Sequence, residues 1–244
     1  MGKALMPRKV LDHGEVQLIR SAANDLLVVN AARVSLHAQS EWEITGDPEG
    51  NGVRRLSGRD AGLISYLMRN RHGTPFEHGY FQFRVKAPIF IFREWHRHRV
   101  GHSYNEWSAR YSTLEPEFYI PDIEEVLTQV GKPGAYEFSK AEREAAHTFR
   151  LALLTSCNSA YDLYTRAIES GIARQQARLV LPVNTYSEMI WSCNPRSLMH
   201  FLGLRNSEHA QMEIRRYAQE IEDIFSCVMP VTHAAFFENE RVAP

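Results

Sequence analysis

One stretch limits the possible folds more than any other. "SKAEREAAHTFRLALLTSCNSAYDLYTRAIESG", Ser139 to Gly171, places Phe149, Leu153, Ala160, Tyr164 and Ile168 close to one helical stripe, which predicts a long helix. More helix follows. "IARQQARLVLP" gives a short helix stopped at Pro182, and Asn194 caps another with Pro195 at its first position, continuing through "RSLMHFLGLR". A last helix, "SEHAQMEIRRYAQEIEDIFSCVM", begins at Ser207 and fades before Pro230.

Strands are fewer. "YFQFRVK" at 80–86 alternates, with Phe81, Phe83 and Val85 on one face and Gln82, Arg84 and Lys86 on the other, as in a half-buried strand. "EVQLIR" at 15–20 and "TYSEMIWSC" at 185–193 also suit strands. Between the first two, "NDLLVVNAARVSL" at 24–36 has helical spacing with Asn24 or Asp25 as cap. Ser57, with Asp60 three residues on, opens a helix that ends at Gly73. Gly46, Asp47-Pro48 and Asn51-Gly52 make 40–56 a surface loop. Pro88 opens a helix through "IFIFREWHRHR", on which Glu94, Arg97 and His98 share a face until Gly101 ends it; "HSYNEWSARYS" then reads as a loop. The expectation is one α+β domain over 1–244, a small sheet with long helices.

With 28 basic against 29 acidic side chains, no global basic field exists to coat a nucleic acid, so any anion site must be local. Cys157, Cys193 and Cys227 form no CxxC pair, which fits a reducing cytoplasm, and each is expected to be a small buried hydrophobe. The first residues lack an apolar signal-like run, and "APIFIF" at 87–92 is too short to span a bilayer. A cytoplasmic protein without a membrane partner is expected.

"EWHRHRVGHSYNEWSARYS", Glu94 to Ser112, is where chemistry concentrates: three histidines and three arginines beside Trp95, Tyr104, Trp107, Glu106 and Ser108. Three ligands could ask for that mixture. A metal is disfavoured, because His96 and His98 diverge by about half a turn on a helix and no HExxH occurs. A nucleic-acid strand needs a longer basic stripe. A small anion bearing flat rings fits better: arginine offers a rigid fork for phosphate and a flat face for stacking, Glu106 an acceptor, Ser108 a compact hydroxyl. As isolated residues, these same arginines would pass for a solvated face and the aromatics for core. Trp95, Trp107 and Trp191 are expected to be packing residues.

"RHRVGHSYNEWSARY", Arg97 to Tyr111, resembles the signature of the flavin-dependent thymidylate synthases: an RHR triplet, then a serine and an SxRY-type ending. "TPFEH" at 74–78, "VKAPIFIFREW" at 85–95, "ARLVLPVNTY" at 177–186, "NPRSLMHFLGLR" at 194–205 and "SEHAQMEIRRYA" at 207–218 resemble further blocks of that family in the same order, so the likeness spans about Asn24 to Tyr217. It implies methylation of dUMP to dTMP with FAD as cofactor and NADPH and methylenetetrahydrofolate as co-substrates. It also implies a homotetramer with active sites where subunits meet.

Carried onto this chain, the resemblance places Thr74, Arg97, His98, Arg99, Glu106, Asn194, Arg196 and His200 at the FAD, with His72 and His209 also at the flavin. Glu94, Arg97, Glu106, Ser108, Ala109, Arg110 and Arg178 would line the dUMP pocket, and Arg205 matches the arginine that activates the uracil. No metal is implied. Three departures stand out. Eight residues rather than seven separate Arg99 from Ser108, so a bulge is expected around His102 with Gly101 supplying backbone freedom. Glu94 stands where glutamine is frequent and needs a partner in Arg93 or Arg97, and His200 replaces a frequent asparagine.

Overall fold

The computed structural model describes residues 6–46 and 52–244. Along the chain run β1 (Arg8–Val10), β2 (Gly14–Ser21), α1 (Asp25–Arg33), β3 (Glu43–Thr45), β4 (Val53–Arg55), α2 (Gly58–Arg69), β5 (Phe81–Pro88), α3 (Ile89–Trp95) and β6 (His102–Glu106). Then come β7 (Leu127–Lys132), β8 (Ala135–Lys140), α4 (Arg143–Glu169), α5 (Arg174–Ala177), β9 (Tyr186–Cys193), α6 (Pro195–Arg205), α7 (Met212–Val228) and α8 (Pro230–Glu238).

The main sheet has the order β1-β2-β5-β9-β6, and every neighbouring pair is antiparallel. Central β5 buries Phe81, Phe83, Val85 and Ala87 completely, the face its alternation predicts. That face packs against helices through aromatic rings. Phe83 lies 5.2 Å from Trp191, Trp95 4.8 Å from Phe201, and Phe81 6.0 Å from Phe225. Burying each such phenylalanine contributes about 1.5–3 kcal/mol, so this aromatic layer anchors α3, α6 and α7 to the sheet. Trp95 and Trp191 are the expected packing residues, whereas Trp107 is 38% exposed, with its indole N–H donated to Ser112.

The caps read from sequence are in place. Asn24 Oδ1 accepts from Leu27 N at 2.8 Å, Ser57 Oγ from Asp60 N at 3.1 Å, and Asn194 Oδ1 from Ser197 N at 2.8 Å. The first residue of α1 has a second task. The Asp25 carboxylate accepts from Val231 N and Thr232 N, so α1 caps α8 from a distance.

Several expectations are corrected. Residues 43–45 and 53–55 pair as a hairpin within the stretch read as a loop; Asp47, Pro48 and Asn51 of its turn signals lie outside the described residues. The long helix starts at Arg143, because 135–140 pairs with 127–132 as a second hairpin. Its buried positions are Ala146, Cys157 and Tyr164, while Phe149 is 49% exposed. The last expected helix ends before Pro230 as read, but it begins at Met212 rather than Ser207, which leaves His209 ahead of it, and a further helix, α8, follows from Pro230. Cys157 and Cys193 are buried as expected; Cys227 is exposed. No helix among the described residues is long and apolar enough to cross a membrane.

Candidate active site

The segment richest in chemistry does not continue α3. His96 N still bonds Phe92 O, but Arg97 N bonds Glu94 O and His98 N bonds Trp95 O, a tightening that ends the helix. Tyr104 on β6 explains why no further turn is needed: its hydroxyl reaches His98 O at 2.7 Å and Trp95 O at 3.3 Å, satisfying carbonyls that a longer helix would have covered. Glu94, Arg97 and His98 therefore do not share a helical face. His98 turns inward at 5% exposure, and Arg97 points to solvent.

Gly101 has φ +73, and a Cβ there would lie 2.2 Å from Ser197 Oγ. The expected freedom is used, but the expected bulge is absent. His102 pairs with Cys193 and the register runs unbroken to Glu106–Met189, so "HSYNE" is an edge strand rather than a loop.

Arg205, in the last turn of α6, sits where the helix dipole favours a cation. Its Nε donates to His98 Nε2 at 3.1 Å, Nη1 to Glu94 Oε2 at 2.8 Å, and Nη2 to the Glu94 backbone O at 3.1 Å. Glu94 is thus paired with Arg205, not with Arg93 or Arg97. Of an arginine's five N–H groups three are spent here, leaving two, one on each Nη, free among the described residues. A guanidinium held on three sides is fixed in orientation and keeps one spare donor on each Nη.

Neutral imidazoles back this fork. Accepting from Arg205 Nε requires a lone pair on His98 Nε2, which puts its proton on Nδ1. Burial first, then the Arg205 charge, push His98 down to about 3. His102 accepts from Trp191 Nε1 at 2.9 Å and is pushed down to about 4 by burial and His200. His200 closes the group, its ring 5.7 Å from His98. Burial raises Glu94 above the usual carboxylate range, against the pull of Arg205 and with help from Glu213.

Other expected residues gather elsewhere. His72 and Thr74 line a cavity of about 800 Å³ walled by Ala31, Ala32, Leu63 and Leu67 and edged by Arg59 and Arg71. Arg196 reaches the same corner: Gly73 leaves room for its guanidinium, which bonds Glu77 Oε1 at 2.6 Å. Asn194 spends its Oδ1 on the α6 cap, beside Gly101. Ala109 is buried and Ser108 half-buried, with Ser108 Oγ accepting from Arg110 N. Arg99, Glu106, Arg110, Arg178 and His209 are exposed. No side-chain hydrogen bond or ion pair among the described residues joins Arg97, Arg99, Arg110 or Arg178 to the Arg205 cluster; Arg97 meets it only through its backbone N–H, which bonds Glu94 O. Sequence reading missed Glu77, Arg59, Arg71 and Glu213. Glu77 stood inside "TPFEH", so it was within reach; the others stand out only once helices α1, α2 and α7 are packed.

Hydrogen-bonded guanidinium donors, buried imidazoles and an arginine-edged cavity are groups that suit a flat anionic ligand. Residues 17–231 match the family described as thymidylate synthase complementing protein. The flavin-dependent thymidylate synthase of Streptomyces coelicolor is 48% identical over 94% of this chain and 93% of its own length. That of Thermotoga neapolitana is 42% identical over 94% and 93%. Among solved structures, the UMP/dUMP methylase PolB of Streptomyces cacaoi, bound with 5-Br UMP, superposes with a TM-score of 0.83 at 42% identity, covering 98% of this chain and all of that one. The chain belongs to the flavin-dependent thymidylate synthase family.

Proposed function

We propose that this chain methylates dUMP to dTMP, taking carbon from methylenetetrahydrofolate and reducing equivalents from NADPH through FAD, as a cytoplasmic homotetramer. The observation that carries this reading is the Arg205 fork at the end of α6, in a chain whose relatives bear the flavin-dependent thymidylate synthase name over nearly their whole length.

Making C5 of a uracil nucleophilic pushes charge onto its O4, N3 and O2 edge. Two N–H groups on a guanidinium that cannot rotate away match that edge, and they stabilise charge as it develops without later reorganisation. His98, buried and neutral, holds Nε of Arg205 without adding a second cation that would compete for the ligand. None of the hydrogen bonds that fix Arg205 involves a cysteine; Cys157 and Cys193 are buried and Cys227 is exposed on α7. The pyrimidine is therefore activated electrostatically rather than by thiol addition.

The residues present fit a flavin dinucleotide. Apolar side chains wall the roughly 800 Å³ cavity for a ring system, and Arg59 and Arg71 supply guanidinium groups for a diphosphate. Thr74, His72, Arg196, His200, His209 and Asn194, with Arg97, His98, Arg99 and Glu106, would hold it; when bound it supplies hydride chemistry. Glu94, Arg97, Glu106, Ser108, Ala109, Arg110 and Arg178 would surround dUMP. Arg178 and Arg110 stand apart from Arg205 within one chain, which supports a site completed by a neighbouring copy. Exposed Phe149 and Leu163 on one side of α4, and Leu151 and Leu154 on the other, supply apolar contacts for that copy.

The test is direct. Purified protein should be yellow and release tritium from C5-labelled dUMP when NADPH and the folate are added. A colourless protein that does not take up FAD overturns the reading.

A further inference from the structure

The pair at the fork has a property that a glutamine at position 94 would lack. Glu94 Oε2 sits 2.8 Å from Arg205 Nη1, half-buried on α3, and Arg205 also reaches the backbone carbonyl of the same residue. We propose that Glu94 is a proton-coupled positioning residue: as a carboxylate it clamps Arg205 in the ligand-free site, and it takes up a proton when a nucleotide monophosphate enters the pocket and its uracil edge draws on the same guanidinium. This inference rests on the dUMP reading.

The argument is one of competing charges. Arg205 is the cation bonded to Glu94, at 20% and 27% side-chain exposure. Burial already opposes the carboxylate's charge, and Glu213 on α7 opposes it further. Of the imidazoles around the pair, His98 after α3 and His102 on β6 are held neutral, and His200 on α6 lies beyond them. A nucleotide anion brings new negative charge to a site where one guanidinium is all that keeps Glu94 ionised. With the phosphate's charge added to the pocket and the guanidinium also serving the uracil edge, Glu94 is favoured less as a carboxylate, and the proton goes to the carboxyl oxygen. Protonated Glu94 still accepts from Nη1 through its carbonyl oxygen, so the clamp is kept while its charge is discharged. Arg205 then faces the pyrimidine with its charge uncompensated, as a glutamine at 94 would leave it at every pH.

Calorimetric titration of FAD-loaded protein with dUMP, in buffers of different ionisation enthalpy, counts the protons taken up. The difference between wild type and Glu94→Gln isolates this carboxyl, because phosphate and histidine contributions are common to both. Wild type should take up as much as about one proton per site more than the variant. Wild-type affinity should also weaken by about tenfold per pH unit above the free-site pKa of Glu94, while Glu94→Gln binds with a flatter profile and more tightly at pH 8. The wild-type pH profile stands alone if the variant folds poorly. Equal proton uptake in the two proteins, or a wild-type profile without that slope, overturns the role of Glu94 while leaving the dUMP reading intact. Failure of FAD-loaded wild type to bind dUMP at all overturns the dUMP reading itself.

Discussion

Trp191 Nε1 donates to His102 Nδ1 across 2.9 Å, with the two rings 6° from parallel, so the first residue of edge strand β6 is fastened to the aromatic core. The bond requires an unprotonated Nδ1. Together with His98 it builds a pH dependence into the fold. Both histidines lie below the ordinary 6.5, His102 at about 4 and His98 at about 3. The folded state therefore favours the neutral rings: the stability they contribute is complete above about pH 6.5 and is lost as pH falls toward those values. Urea midpoints should fall steeply between pH 6 and pH 4. His102→Phe should lower the midpoint at pH 7.5, since Trp191 keeps a buried N–H without a partner at a cost of about 1–3 kcal/mol. Its slope below pH 6 should be shallower than wild type; an unchanged slope would show that His102 does not carry this dependence.

Gly101→Ala should be costly. The residue has φ +73, where an L side chain loses about 1–2 kcal/mol, and its Cβ would meet Ser197 Oγ at 2.2 Å and Asn194 Nδ2 at 2.9 Å. Ser197 Oγ would also be pushed from Val100 O, its acceptor at 2.9 Å. We expect about 2–4 kcal/mol of destabilisation by chemical denaturation, with weaker FAD retention because the N-terminus of α6 moves. A stable variant with normal flavin content would count against the turn being under this constraint.

Arg205→Lys keeps the charge and loses the fork. A lysine can meet Glu94, but it cannot also bond His98 Nε2 and offer a planar two-donor edge. Turnover should drop by about 10²–10³-fold, the cost of removing a preorganised donor at developing negative charge. Flavin binding should change little, while thermal stability falls modestly because the buried His98 Nε2 loses its donor. Tritium release measured beside a flavin spectrum separates the two effects.

How far the fold was legible depends on how local its signals are. β5 was, because alternation over seven residues records which face is buried. The caps at Asn24, Ser57 and Asn194 were, because each bonds a residue three positions on. β6 was not: only pairing with β9, nearly ninety positions away, makes "HSYNE" a strand, and its exposed face carries no alternation. The end of α3 was hidden for a related reason. Tyr104 stops it by occupying its carbonyls, and nothing in "IFIFREWHRHR" announces a hydroxyl arriving from the next strand. The site divides likewise. Arg205, Glu94 and His98 were named individually from motif resemblance, but that Glu94 binds Arg205 could not be read from positions 111 apart.

The end of α6 depends on a buried carboxylate of α7. Glu222 on α7, 5% exposed, accepts from Asn206, the residue after Arg205, and from Arg241 Nε at 3.1 Å, with His233 Nε2 also at 3.1 Å. Asn206 is the C-cap of α6, so this network fixes the turn from which Arg205 projects. Glu222→Ala removes the common acceptor and strands three polar groups, at about 3–5 kcal/mol, the scale of breaking a buried pair from one side. Glu222→Gln keeps an acceptor for Asn206 and should lose less. If the network only stabilises the fold, the Gln variant at a temperature well below its unfolding transition will turn over dUMP like wild type. If it sets the direction of the fork, kcat will fall by about tenfold while the KM for dUMP changes less, because the donors that serve developing charge are displaced while the rest of the pocket still binds. Fixing α6 through Asn206 predicts the second result, and Asn206→Ala, tested beside it, should give the same split.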